Sequence, residues 1–266
     1  MTYFLRFLLL AAFLCNLSLA IPAQAETASE KGMRIAQASR DRNRSHGDTS
    51  VSGEMILASP GGQTSTRRFD TQWVDLGNGK GSRSQMIFRW PGDIRGTTLL
   101  THSHDQRADD QWLKLPALGK VRRITASGRS GSFVGSEFAY EDLVDQEVEK
   151  FDHVWIAEQP CPAGGQCHVL DRRPKTVSGY SHMRVWLDVK NLLPQKIDYF
   201  DRAGAHLKTL RTSGYRLYEG RYWRPSKMDM RNHLTGKSTV LTWSGYQFNL
   251  GLNANSFTVT ALRRSN

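Results

Sequence analysis

The sequence predicts a mainly β protein with one antiparallel sheet that is strongly curved or barrel-like. Between residues 51 and 246, short runs of alternating apolar and polar residues recur at hairpin spacing, which is typical of half-buried strands. Turn signals such as Pro91-Gly92-Asp93 and Thr235-Gly236 separate these runs. Helical periodicity is almost absent between them, so roughly ten strands are expected in the sheet.

Residues 1–25 have the three-part order of a cleavable secretory signal peptide. Arg6 precedes an apolar run from Phe7 to Leu14, and Ala23-Gln24-Ala25 provides small residues for cleavage after Ala25. Polar residues interrupt the apolar stretch, whereas a membrane anchor needs about 20 continuous apolar residues. We therefore expect an exported chain without a membrane anchor.

An N-terminal helix is expected from Glu26 to Asn43, with a thin apolar stripe. Alternation then predicts a first hairpin between residues 51–57 and 66–76, turning at Pro60-Gly61-Gly62. Later runs predict the strands Ser84–Trp90, Thr97–His104, Gln111–Leu115, Val148–Glu158, Cys167–Arg172, Met183–Val189, Gln195–Asp201, Leu207–Tyr218, Arg224–Asn232 and Ser238–Tyr246. No linker composition or internal repeat divides the chain, so residues 26–266 are expected to form a single β domain.

The chain is strongly basic. It has 36 Lys and Arg residues against 25 Asp and Glu, a formal net charge of +11, and the charges are spread along the sequence. Such a surface favours anionic partners. No nucleic-acid-binding motif accompanies the charge, so a lipid headgroup or an envelope surface is favoured over nucleic acid. A solvated basic surface without a specific partner is the alternative.

Two blocks depart from the hairpin rhythm. They are WLKLPALGKVRRI at residues 112–124 and GSFVGSEFAYEDL at residues 131–143. With these blocks the sequence resembles the LolA-like proteins, the outer-membrane lipoprotein-sorting family of the bacterial envelope. The resemblance extends from about Ile35 through the C-terminal strands.

The resemblance implies an incomplete, half-open antiparallel β-barrel of the LolA/LolB type, with a covering N-terminal helix and short lid helices. It implies a periplasmic carrier that binds acyl chains of lipoproteins or lipids in a hydrophobic cavity for transfer toward the outer membrane. It also implies partners at both membranes: an inner-membrane transporter of the resistance-nodulation-division (RND) type and an outer-membrane acceptor.

The second block has its own physical interpretation. Glycines between residues 128 and 135 allow positive φ and close backbone approach, and Phe133, Phe138 and Tyr140 add apolar mass beside them. The segment is either a lid or rim loop, or a structural crossover connection packed on the sheet. The residues alone leave both possibilities open.

Large apolar side chains on the strands are the candidate lining of an acyl-binding cavity. Burying an acyl chain contributes about 0.8 kcal/mol per CH₂, so a carrier must offer a dry wall, for which adaptable Met residues are well suited. Each candidate could equally be an ordinary core residue. The candidates are Met55, Leu57, Phe69, Trp73, Met86, Phe88, Leu99, Phe138, Tyr140, Trp155, Trp186, Tyr199, Met228, Met230 and Trp243.

Cys161 and Cys167 are the only cysteines after the signal peptide. Disulfides persist in exported proteins, so a local bridge closing a hairpin loop is expected. A metal site with His168 as a third ligand is the alternative, but no CxxC pair or second histidine at ligand spacing supports it.

Enzyme motifs are weak. His102, His104 and Asp105 approximate the His-x-His-x-Asp-His pattern of metallo-β-lactamases, but the carboxylate comes one position early and no final histidine follows. No GxSxG elbow or phosphate-binding glycine loop occurs. We therefore expect no enzyme, metal or cofactor. The first alternative to the carrier is an interaction module, such as an accessory of an RND/MMPL-type exporter that binds no cargo. The last alternative is a zinc-dependent envelope hydrolase.

Overall fold

The computed structural model describes residues 25–44, 47–77 and 80–265. The expected signal peptide, apart from Ala25, lies outside the described residues. The helices are α1 (Ala28–Asn43) and α2 (Val259–Arg264). The strands are β1 (Asp48–Ala58), β2 (Thr64–Asp75), β3 (Ser82–Trp90), β4 (Thr98–Ser103), β5 (Asp110–Leu115), β6 (Lys120–Arg123), β7 (Phe151–Pro160), β8 (Gln166–Pro174), β9 (Tyr180–Asp188), β10 (Pro194–Asp201), β11 (His206–Ser213), β12 (Arg216–Tyr218), β13 (Tyr222–Arg224), β14 (Lys227–Asn232) and β15 (Ser238–Phe248).

Thirteen of the described strands form one sheet in the order β6-β5-β4-β3-β2-β1-β15-β14-β11-β10-β9-β8-β7. Every neighbouring pair is antiparallel. Strands β12 and β13 form a separate hairpin. Because β6 and β7 lie at opposite edges, the sheet stays unclosed, which confirms the expected mainly β, half-open architecture with an N-terminal helix.

The inner face of the sheet is built from apolar side chains that are register partners. Leu170, Val185, Ile197, Leu210 and Met230 follow one another across five neighbouring strands, and all five are buried. Directly opposed residues of antiparallel strands point to the same face. This row therefore forms a continuous apolar floor on the concave side.

The connection from β6 to β7, residues 124–150, must cross from one sheet edge to the other. We call it the plug. Phe133 and Phe138 of the plug are 0% and 2% exposed, and the Phe133 ring lies 5.7 Å from Phe88 of β3 and 5.5 Å from Tyr140. Of the two possibilities that the sequence leaves open, the structure shows a crossover connection packed on the sheet.

Helix α1 covers the other half of the concave face, against β7. Thr27 begins the helix in a capping box with Glu30, and Ile35 and Ala36 turn inward. Gly32 permits the close approach, because a Cβ atom there would lie 2.7 Å from the Trp155 backbone nitrogen. Among the described residues, no helix has the length and apolar character needed to cross a membrane.

Replacing Gly32 with Ala should therefore push α1 off β7. Backbone atoms cannot rotate away from the new methyl group, so we expect the steric overlap to lower the free energy of unfolding by about 1–3 kcal/mol. The higher helix propensity of Ala offsets about 1 kcal/mol of this loss. Urea denaturation measures the change. Gly92→Ala is the matched control, since a Cβ there meets no atom of the described residues within 4 Å. Equal stability of the two variants would contradict tight docking of α1.

Several elements differ from the sequence-based expectation. The strand expected over Leu207–Tyr218 ends at Ser213, because Gly214 takes a φ of +66° before β12 begins. Strand β6 is four residues long with three basic side chains, so it carries no apolar alternation. The short helix α2 packs Leu262 beside Leu100 on the outer face.

The expected disulfide is present. Cys161 follows β7 and Cys167 lies in β8, with Cα atoms 5.1 Å apart, so the bridge closes the turn of this hairpin. Both residues are buried beside Val169 and Trp186 on the outer face of the sheet.

Candidate functional site

A cavity of about 540 Å³ lies between the sheet floor, α1 and the end of the plug. Its volume falls within the range of small-molecule binding sites, about 300–1,000 Å³. The floor is predominantly apolar and comes from strands β8 to β11 and β14. Its apolar members are Leu170, Val185, Leu187, Ile197, Leu210 and Met228.

The roof of the cavity is tied down by polar contacts of α1. Arg40 of the helix lies 2.5 Å from Glu147 of the plug. Burial raises the pKa of the Glu147 carboxyl, while the Arg40 charge opposes that rise. On the other side, Ser39 donates to the Leu192 carbonyl at 2.7 Å. The helix is thus held both to the plug and to the loop before β10.

A second inward row beside the apolar floor carries four polar side chains and one methionine. His153, Arg172, Met183, Tyr199 and Lys208 are register partners across strands β7 to β11. All five are buried. The row therefore places an imidazole, a guanidinium, a phenol and an ammonium group inside the concave face, where burial raises the pKa of the Tyr199 hydroxyl.

Lys208 anchors the plug to this row. Its ammonium donates to Asp142 Oδ2 at 2.6 Å and to the Glu137 carbonyl at 2.9 Å. Asp142 also accepts from the Tyr180 hydroxyl at 2.8 Å. A carboxylate with three or more donors is well compensated, and a third donor is the Ala139 backbone N–H at 2.7 Å.

Arg172 has a different environment. Its side chain is 9% exposed, and its Nη2 atom contacts Met183 Sδ at 3.3 Å. The guanidinium lies over the Phe151 ring at 4.7 Å. The buried Nε atom has no hydrogen-bond partner within residues 25–44, 47–77 and 80–265. Burial lowers the pKa of the Arg172 guanidinium.

His153, the neighbour of Arg172, is held neutral. Burial and then the Arg172 charge lower the pKa of the imidazole from 6.5 to about 4. Nε2 lies 3.1 Å from the Val148 carbonyl, while Nδ1 is buried and has no hydrogen-bond partner among the described residues. The Lys175 charge also lowers the pKa of the His153 imidazole, whereas the Asp152 charge raises it.

A pH dependence follows from the lowered pKa of His153. The fold disfavours the imidazolium form of His153. The neutral form therefore leaves the free energy of unfolding at its full value above about pH 6.5. As the pH falls toward about 4, the free energy of unfolding decreases by about 3 kcal/mol. His153→Gln should remove this part of the acid destabilisation in urea titrations between those pH values. The surface variant His206→Gln should keep it. A wild-type pH dependence in His153→Gln would contradict the assignment.

The predicted lining residues divide by position. Trp73, Tyr199 and Met228 line the cavity. Buried positions of the main hydrophobic core hold Met55, Phe69, Met86, Phe88, Leu99, Phe138 and Met230. Partly buried positions packed against that core hold Leu57, Tyr140, Trp155 and Trp243.

Trp186 lies on the outer face beside the disulfide. Its neighbour Val185 faces the cavity, and side chains alternate along a strand. The Trp186 ring therefore points away, with Lys196 Nζ 4.0 Å from its centroid.

The candidate zinc ligands do not come together. His102 Nε2 contacts the Phe257 carbonyl at 2.7 Å, whereas His104 Nε2 lies 3.1 Å from Asp110 and Asp105 faces Arg40. Within residues 25–44, 47–77 and 80–265, no three His, Cys, Asp or Glu side chains are grouped so as to hold a metal ion.

Known proteins resemble this chain in sequence and in fold. A family profile described as an uncharacterized protein matches residues 80–264. A structure of an outer membrane lipoprotein-sorting protein domain from Vibrio parahaemolyticus is 42% identical, with a TM-score of 0.85, covering 89% of this chain and 100% of that one. A DUF1329 family protein from Desulfovibrio piger is 29% identical, with a TM-score of 0.84, covering 89% and 99%. No curated protein sequence matches the chain.

A LolA superfamily protein from Nitrosomonas europaea shares the fold at 18% identity, with a TM-score of 0.70 over 86% of this chain and 98% of that one. The unclosed sheet, the covering helix and the concave cavity thus define a half-barrel of the LolA type. The chain belongs to the LolA-like family of outer membrane lipoprotein-sorting proteins.

Proposed function

We propose that the protein is a non-enzymatic periplasmic carrier that holds an acyl chain of a lipid or lipoprotein in the cavity beneath α1. The observation that carries this proposal is a largely apolar cavity of about 540 Å³ on the concave face of a lipoprotein-sorting fold. Residues 26–266 would act as one exported domain, taking cargo from an inner-membrane source such as an RND-type transporter and delivering it to an outer-membrane acceptor.

The volume indicates how much cargo fits. The cavity equals about 18 water volumes at ≈ 30 Å³ each, and a methylene group is of similar size. One acyl chain therefore fits. At about 0.8 kcal/mol per CH₂, its burial would offset the loss of its membrane environment. Several chains would require the plug to leave the concave face.

An interaction module without cargo is the second candidate, because the plug already fills part of the concave face. Phe133 and Phe138 occupy that space with almost no exposure. In this case the remaining cavity would have no ligand, and the protein would act through its surface on an envelope partner.

Filling the cavity separates the two candidates. Ile197 is buried and lines the floor, so Ile197→Trp should weaken binding of a fluorescent palmitate analogue by about tenfold or more. Ile156→Trp on the exposed side of β7, where Ile156 is 42% exposed, is the matched control. Binding by the wild type and by Ile156→Trp, together with weakened binding by Ile197→Trp, supports the carrier. No saturable binding by wild type favours the interaction module.

A further inference from the structure

The cavity wall contains a buried cation that a purely apolar carrier would not need. Arg172 lines the cavity and is buried. Within the described part of the chain, its guanidinium contacts a sulfur atom and a ring face. Its Nε atom has no hydrogen-bond partner among the residues that the structure describes. Burying such a charge without a counterion is strongly unfavourable.

Other cations in this region have carboxylates. Arg40 lies 2.5 Å from Glu147, and Lys208 lies 2.6 Å from Asp142. For Arg172, no carboxylate of the described part of the chain lies within ion-pair distance. Glu147 and Asp142, which both line the cavity, are thus already paired with other cations.

Arg224 is a second arginine of the cavity wall, and it is half-buried. Arg224 donates to the carbonyls of Asn43 and Trp223, at 3.1 Å and 2.6 Å, and burial lowers its pKa. It too lacks an ion-pair carboxylate among the residues that the structure describes. Asp145, on the plug side of the wall, accepts from Trp73 Nε1 at 3.0 Å and from Ser82.

We propose that the cavity takes an amphiphile with an anionic head group, whose carboxylate or phosphate pairs with Arg172 while its acyl chain lies along the apolar floor. Leu170 and Arg172 stand two positions apart on the same face of β8, so head and chain sites are contiguous. A guanidinium matches both anions through paired N–H donors. This inference rests on the proposed function and adds the charge of the ligand to it.

The test compares amphiphiles that share a saturated chain and differ in the head. Purified protein is titrated with palmitate, with palmitoyl lysophosphatidate and with hexadecanol, each displacing an uncharged fluorescent acyl probe. Wild type should bind at least one anion about tenfold or more tightly than the alcohol. Arg172→Met should lose that preference while keeping its affinity for hexadecanol.

Two further variants keep the test interpretable. Arg172→Lys retains the charge and should retain most of the preference, even if Arg172→Met folds poorly. Arg184→Met removes an arginine on the neighbouring strand that pairs with Asp171 at 2.7 Å, and should leave the preference unchanged. The relative affinities of palmitate and lysophosphatidate tell a carboxylate ligand from a phosphate ligand.

The outcomes separate this inference from the function on which it rests. Equal affinity of wild type for the alcohol and both anions would overturn the inference and leave the carrier intact. An unchanged preference in Arg172→Met would also overturn it. Failure of all three amphiphiles and of the probe to bind would overturn the carrier itself.

Discussion

Lys208→Met is expected to lower the free energy of unfolding by about 3–5 kcal/mol. Lys208 is 4% exposed, and its removal leaves the buried Asp142 carboxylate without its cation at 2.6 Å. The same substitution breaks the hydrogen bond to the Glu137 carbonyl. Because both partners belong to the plug, amide hydrogen exchange over residues 124–150 should accelerate before the rest of the sheet unfolds.

The control for this prediction is Lys227→Met. Lys227 pairs with Asp229 at 3.6 Å on the surface, where such a pair contributes about 0–1 kcal/mol. Adding Asp142→Asn to Lys208→Met should recover part of the loss, because the uncompensated charge is removed. If Lys208→Met were as stable as Lys227→Met, the pair would not anchor the plug.

Phe133→Ala should cost about 3–5 kcal/mol of unfolding free energy. The ring is fully buried and packs edge or tilted against Phe88 and Tyr140, so truncation leaves a void that a packed sheet cannot close. Leu118→Ala, at a position 55% exposed, should change stability by less than about 0.5 kcal/mol. Urea denaturation of both variants measures the difference.

The same variant has a functional consequence. If the plug limits the space for cargo, the void left by Phe133→Ala should admit longer or additional acyl chains in the displacement assay. A stability loss below about 1 kcal/mol would contradict the placement of the Phe133 ring under the sheet.

Local patterns predicted much of the sheet. Alternation and turn residues are local properties, and the hairpin β1–β2 follows from them with strand ends that differ by one to three residues. The pairing of β1 with β15 joins distant parts of the chain, which no local pattern records. Strand β6 escaped detection because its three basic residues suit a charged sheet edge rather than an alternating strand.

The plug shows why topology decides what composition leaves open. Glycines and aromatic residues suit a lid as well as a packed crossover. Only the placement of β6 and β7 at opposite edges requires residues 124–150 to cross the concave face. The apolar positions that they cover then become core, although the same side chains would line a cavity if the plug lay elsewhere.

The cavity lining was predicted only in part, because the position of the plug decides which inward-facing residues line the cavity. Trp73, Tyr199 and Met228 line it, but large apolar residues facing inward look identical in a core and in a cavity. Arg172 had a usable signal: it shares a strand face with Leu170, so alternation places a charge on an apolar surface. The helix contacts of Arg40 depend on how α1 docks and have no local signal.

The central proposal, an acyl chain held beneath α1, is tested most directly by mass spectrometry of organic extracts of the protein purified from the periplasm without detergent. About one acyl-bearing lipid per protein molecule is expected from the cavity volume, with markedly less lipid from Ile197→Trp and an unchanged amount from Ile156→Trp. Repeated absence of acyl lipid from the wild-type protein would contradict the proposal.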